Sequence, residues 1–191
     1  MSAAALMLAA PAALAQNTQT PQFGPRVSKD GQPQANAPVP EVVATHGAWK
    51  IQCETQPAGA DAAAQPAQRQ CGMVQSAQSD KNPNAGLTLI IVKAKQGDKA
   101  VTMMRVMAPI GVFLPTGVAL EIDGNAVGRV PFTRCMPQIC MAFAEASPET
   151  LAKMKKGGDA NFIIYEAPGV GLPMKMKLDG FSAALADLDK Q

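Results

Sequence analysis

The chain has 191 residues, with 17 Lys+Arg against 15 Asp+Glu, a formal net charge of +2, one His, one Trp and one Tyr. That length holds one domain or two small ones, and so small a net charge carries no electrostatic footprint for nucleic acid. A single His excludes any site built on two histidines, the HExxH zinc peptidases among them.

Residues 3–10, AAALMLAA, form a short apolar run, and Ala13-Leu14-Ala15 follows as a small-x-small cleavage pattern. Residues 1–15 therefore read as a Sec-type signal peptide, with Gln16 as the first mature residue. The run is far shorter than the ~20 residues of a bilayer-spanning helix. Secretory leaders begin with a basic region. None precedes this run, so the recorded start is expected to lie inside the true signal. With no Cys at the cleavage point, a lipoprotein anchor is not expected. No later apolar run reaches 18 residues, so no transmembrane segment is expected in the mature protein.

Residues 16–44 read as a disordered Pro/Gln/Ala-rich linker. Pro21, Pro25, Pro33, Pro38 and Pro40 oppose regular helix and interior strand, and there is too little large apolar surface to offset the entropy of ordering. A second low-complexity stretch, Gln56 to Gln68, reads as an exposed loop. Of 34 Ala, 18 fall within the first 67 residues, so the 47% hydrophobic content overstates the core, which must come from the later chain.

Residues 45–191 read as the folded domain, and mostly as strand. Ala48–Cys53 puts Trp49, Ile51 and Cys53 on one face, and Cys71–Ala77 follows. Leu87–Ala94 and Ala100–Met107 flank Gln96-Gly97-Asp98-Lys99 and are expected to form a hairpin. Val118–Ile122 leads into the turn signal Asp123-Gly124-Asn125. Ala126–Phe132, Cys140–Glu145, Asn161–Glu166 and Met174–Leu178 complete the strands. Ser147, Pro148, Glu149 and Gly157 bracket one short helix with cap, first-turn and terminal signals. A second starts near Gly180-Phe181-Ser182 and runs through Leu185 and Leu188. Short strands punctuated by turn residues predict a mainly β fold, a β-sandwich of immunoglobulin-like architecture with one or two short helices.

The four cysteines, Cys53, Cys71, Cys135 and Cys140, form an even set in a chain with an export signal, which reads as two disulfides. Three pairings are open, and proximity in sequence favours Cys53 with Cys71 and Cys135 with Cys140. A Cys₄ zinc site needs two close pairs, and only one is present. A redox dithiol uses C-x-x-C, against C-x₄-C here.

Other features carry less chemistry. His46 has no GxSxG nucleophile motif to serve, so a hydrolase is a distant alternative. No nucleotide-binding glycine motif occurs. Met103, Met104 and Met107, with Met174 and Met176, have spacings that could share a strand face, and exported thioether clusters bind Cu(I). A periplasmic small-ligand or Cu(I)-binding module is therefore an alternative. The competing reading makes these methionines flexible core filler in a chain poor in aromatics. Neither a cofactor nor a metal nor a catalytic residue is expected.

Four motifs in order, over about residues 45–190, resemble the invasion-associated locus B family of exported α-proteobacterial proteins. They are His46-Gly47-x-Trp49 followed by Cys53; Pro109-x-Gly111-Val112-x-Leu114-Pro115-x-Gly117-Val118 through Ile122-Asp123-Gly124; Pro131-Phe132-x-x-Cys135-x-Pro137-x-x-Cys140; and Gly180-Phe181-x-x-Ala184-Leu185-x-x-Leu188. The resemblance implies a β-sandwich-like domain in the periplasm or at the outer membrane. In host-associated members it also implies a link to host-cell entry. It brings no catalytic residues to carry over.

The second motif also has a physical reading. Pro and Gly punctuate an apolar connection containing Ile110, Val112, Phe113 and Leu114, which is either tucked over the core or a partner-contact patch. The sequence thus predicts a non-enzymatic, disulfide-stabilised periplasmic protein. It would act through an unidentified protein partner in the envelope or on a host cell, with peripheral outer-membrane association as a variant.

Overall fold

A computed structural model describes residues 40–56 and 67–191. The expected signal peptide, the linker up to residue 39 and residues 57–66 of the low-complexity stretch lie outside the described residues.

Eleven strands and two helices follow in order among the described residues. They are β1 (Glu41–His46), β2 (Trp49–Gln56), β3 (Gln68–Gln78), β4 (Gly86–Gln96), β5 (Lys99–Pro109), β6 (Val118–Ile122), β7 (Asn125–Val130), β8 (Phe132–Cys135), β9 (Ile139–Glu145), α1 (Pro148–Lys156), β10 (Asp159–Ala167), β11 (Val170–Lys177) and α2 (Phe181–Leu188). All strand pairs are antiparallel. One sheet has seven strands in the order β1-β2-β3-β4-β5-β9-β8, and the other has four in the order β11-β10-β6-β7. The predicted hairpin closes through Gln96 opposite Lys99. The Asp123-Gly124 turn joins Ile122 to Asn125 as a two-residue connection, the sequence type that such turns favour.

Two expectations change. β1 occupies residues assigned to the linker, which was expected to run to residue 44. Its side chains are mostly exposed and only the small Ala44 packs against the core, so the inward apolar signal is weak, and backbone pairing with β2 holds it in the sheet. The single strand expected over Ala126–Phe132 is two strands in different sheets. The break falls at Pro131, which has no N–H for a ladder and ends β7 where the chain crosses between sheets.

The core lies between the sheets. Inward residues of the larger sheet include Trp49, Ile51, Met73, Leu89, Ile91, Met104 and Val106. They face Leu120, Phe162, Ile164, Met174 and Met176 of the smaller one. Seven strands cannot be covered by four, and α2 closes the remainder by packing on β1, β2 and β3. Its buried Phe181, Ala184, Leu185 and Leu188 form the apolar stripe. Ser147 caps α1 by accepting the Thr150 N–H at 3.1 Å.

The first and fourth motifs meet here. Trp49 and Phe181 pack edge to face with centroids 5.3 Å apart. The Trp49 indole N–H donates to the Lys177 carbonyl at 3.1 Å. The side chain of buried Gln75 donates to the same carbonyl at 2.9 Å and to the Ala48 carbonyl at 3.3 Å. One carbonyl of β11 thereby ties the two sheets together where the sandwich would otherwise gape, and no buried amide of Gln75 is left unpaired.

Candidate interaction surface

The connection from β5 to β6 carries the second motif. Pro109 still pairs with Ile139 of β9, after which the chain leaves the sheet. The Phe113 N–H donates to the Tyr165 carbonyl at 2.6 Å, anchoring the loop to β10. A 3₁₀ turn, Leu114–Thr116, brings the chain to Gly117. Gly117 has φ +71°, and a β-carbon there would overlap the Val130 carbonyl oxygen just before Pro131. The second and third motifs are thus one packed unit, in which glycine is required both by backbone conformation and by close approach.

The loop is divided. Val112 packs against the core and Phe113 is half-buried. Ile110 and Leu114 are 56% and 47% exposed. The four residues read from sequence as a contact patch are therefore divided: Val112 packs inward, Phe113 is half-buried and ties the loop to β10 through its N–H, and Ile110 and Leu114 face outward.

Two further apolar side chains are exposed at the same end of the sandwich. Met136, 40% exposed, sits in the β8–β9 turn across from Ile139, whose other neighbour is Pro109. Val170, 49% exposed, opens β11 at the turn after Tyr165. The other large exposed apolar residues among the described residues are Val42 and Val43 of β1. Sequence reading missed Met136 and Val170 because each stands alone among turn residues. The Met-Pro pair inside the C-x₄-C loop was the available signal.

This end is held rigidly. Cys135 and Cys140 face each other across β8 and β9 and are joined by a disulfide, with the Met136 N–H donating to the Ile139 carbonyl at 2.7 Å. Glu166 accepts from the Asn82 side chain at 3.4 Å, linking the β3–β4 loop to β10. The second disulfide, Cys53–Cys71, joins directly opposed residues of β2 and β3. No cysteine is free among the described residues.

The reactive-looking residues fall elsewhere. His46 Nε2 lies 2.9 Å from Asp187 Oδ2, pairing the end of β1 with α2. That carboxylate is its sole side-chain hydrogen-bond partner among the described residues, and no hydroxyl completes a triad. Met174 and Met176 are fully buried on the inner face of β11, and Met104 is buried on the inner face of β5. Met103 and Met107 alternate with Met104 and occupy the opposite, outer face of their sheet. The two Met pairs therefore lie on different sides of the seven-stranded sheet and do not converge. No helix among the described residues is long and apolar enough to cross a membrane.

A family model described as invasion associated locus B (IalB) protein matches residues 49–189. An invasion protein B homolog of Brucella abortus (strain 2308) is 32% identical over 80 residues, 41% of this chain and 46% of that protein. A homolog from Brucella abortus biovar 1 (strain 9-941) matches with the same values. The chain spans about half the length of the curated relatives it matches. The crystal structure of invasion associated protein b from Bartonella henselae superposes with a TM-score of 0.58 at 23% identity, covering 80% of this chain and 95% of that one. That likeness is one of fold.

Proposed function

The chain belongs to the invasion associated locus B family, and from that premise we propose that it is an exported, non-enzymatic protein of the periplasm. It binds a protein partner, in envelope function or at a host cell, through the loop end of its sandwich. The observation that supports the reading is that four of the six large exposed apolar side chains among the described residues, Ile110, Leu114, Met136 and Val170, lie in or beside loops at that end. Covering the exposed half of each such side chain would return on the order of 1 kcal/mol, and a partner seated on this end would do so for all four. The rigid mounting lowers the ordering cost of binding. Two disulfides support export, because such bonds persist in oxidising compartments.

The test is photo-crosslinking in intact envelopes of the source bacterium, with the reactive amino acid placed at Leu114 or Val170 and, as control, at Lys95 on the β4–β5 hairpin. Capture of one discrete protein from Leu114 and Val170 but not from Lys95 is expected. It should disappear in the double variant Ile110→Asp, Met136→Asp. Equal labelling from all three positions would defeat the proposal.

A further inference from the structure

We infer that the sandwich carries a second site, an inter-sheet pocket at the β7 edge that admits a small uncharged apolar molecule. A cavity of about 180 Å³ opens between β7 and β9. Its inner wall is apolar, formed by Met104, Val106, Leu120, Ala144 and Phe162. The size is on the order of cavities that stay dry and accept benzene when their lining is aliphatic and aromatic.

Gly128 stands at the exposed mouth of the cavity. It lies opposite Leu120 in the β6–β7 ladder. Cross-strand partners share a face, so position 128 lies on the Leu120 side of β7, where it is solvent-exposed while Val127 and Val130 pack against the core. A β-carbon built on Gly128 meets no atom within 4 Å, and its φ is not positive. Neither backbone conformation nor crowding calls for glycine here, unlike Gly117. A strand interior is weakened by glycine, and the missing side chain leaves an opening where a valine would cover the mouth.

The rim sets the class of ligand. Its charged residues are Arg129 and Glu145. Arg129 lies over the Tyr165 ring at 5.5 Å, and Glu145 is 3.7 Å from Lys99. Thr150, at the start of α1, shares a hydrogen bond with Ser147 at 3.0 Å. Both charges are solvent-exposed at the rim, and neither is buried in the pocket. The site therefore offers an apolar lining without an ionic anchor, which selects an uncharged single ring or short alkyl chain over a carboxylate or an ammonium.

The test uses the whole exported chain labelled with ¹³C-methyl methionine, titrated with benzene and with 1-pentanol. The Met104 methyl resonance, assigned by Met104→Leu, is expected to shift saturably with at least one probe. In Gly128→Val that affinity should fall at least tenfold, while Tm holds or rises because the added methyls enter open space. Hexanoate should bind at least tenfold more weakly than 1-pentanol. Absence of a saturable Met104 shift up to the solubility of both neutral probes overturns the inference, as does wild-type affinity in Gly128→Val. If the valine variant does not fold, Gly128→Ala decides by the same readout, with a threefold loss expected and wild-type affinity overturning the proposal.

Discussion

Gly180 lies so close to the His46 carbonyl oxygen that a β-carbon on it would overlap that atom. At φ +80° it also holds a left-handed conformation. On the other side of the contact, a β-carbon on Gly47 would overlap the Asp179 side chain. Two glycines more than a hundred residues apart form a latch between the β1–β2 turn and the start of α2. The Ala48 N–H seals it by donating to the Asp179 carbonyl at 3.3 Å.

Gly180→Ala should therefore lose at least about 2 kcal/mol, since backbone strain and a clash with main chain add. Gly117→Ala should cost a similar amount for the same two reasons. Urea unfolding followed by Trp49 fluorescence measures both.

The Lys177 carbonyl accepts from Trp49 and from Gln75, and both donors are buried. Gln75→Leu is expected to cost about 2 kcal/mol, because it leaves the Ala48 carbonyl without this donor and puts a branched side chain in a packed site. Combined with Trp49→Phe in a double-mutant cycle, the effects should be non-additive, because the two donors share one acceptor.

The disulfides should contribute unequally. Cys53–Cys71 closes a separation of 18 residues and Cys135–Cys140 one of 5. Paired Cys→Ala replacement should cost about 3 kcal/mol for the first and about 2 kcal/mol for the second on the chain-entropy account. Intact mass before and after reduction should rise by four hydrogens; no change would show that the exported protein carries free thiols.

Within the β5–β6 loop, stability should separate the two roles. Ile110→Asp and Leu114→Asp are expected to change stability by no more than about 0.5 kcal/mol, as exposed positions do. Val112→Asp should lose about 2 kcal/mol or more, since it places a carboxylate against the core. Thermal melts of the three variants check this.

Asp159 is held below the usual aspartate range by its hydrogen bonds with Lys177 and Lys175, at 2.9 Å and 3.0 Å. A depressed folded-state value means that the unfolded chain binds the proton first as pH falls. The stabilisation is thus present above the ordinary aspartate pKa and lost as pH drops through the lowered one. The stability difference between wild type and Asp159→Asn should be constant near neutrality and shrink below about pH 4. High salt should reduce it as well, because the pair is solvent-exposed.

Local signals reached a large part of this molecule. Alternation located β2 because one face lies against the core, the turn residues at 96–99 and 123–125 bounded β4, β5 and β6, and Ser147-Pro148 located α1 because a cap acts within one turn. The apolar residues of the β5–β6 loop could be read as a patch, but their division into Val112 inward, Phe113 half-buried and Ile110 and Leu114 outward could not. β1 escaped because an edge strand held by backbone bonds needs no apolar pattern. Met136 and Val170 escaped because isolated apolar residues in turns are ordinary until loops from separate strands bring them to one end.

By itself, the sequence determined the mainly β character, the turns and the four ordered motifs, since these depend on side-chain period and on residues a few positions apart. Only the tertiary structure decided that the first motif latches onto the fourth and the second onto the third. It alone also showed that the chain changes sheets at Pro131 and that Gly128 faces open space. These are properties of contact between distant segments. They depend on how two twisted sheets of unequal width meet, which no local periodicity encodes.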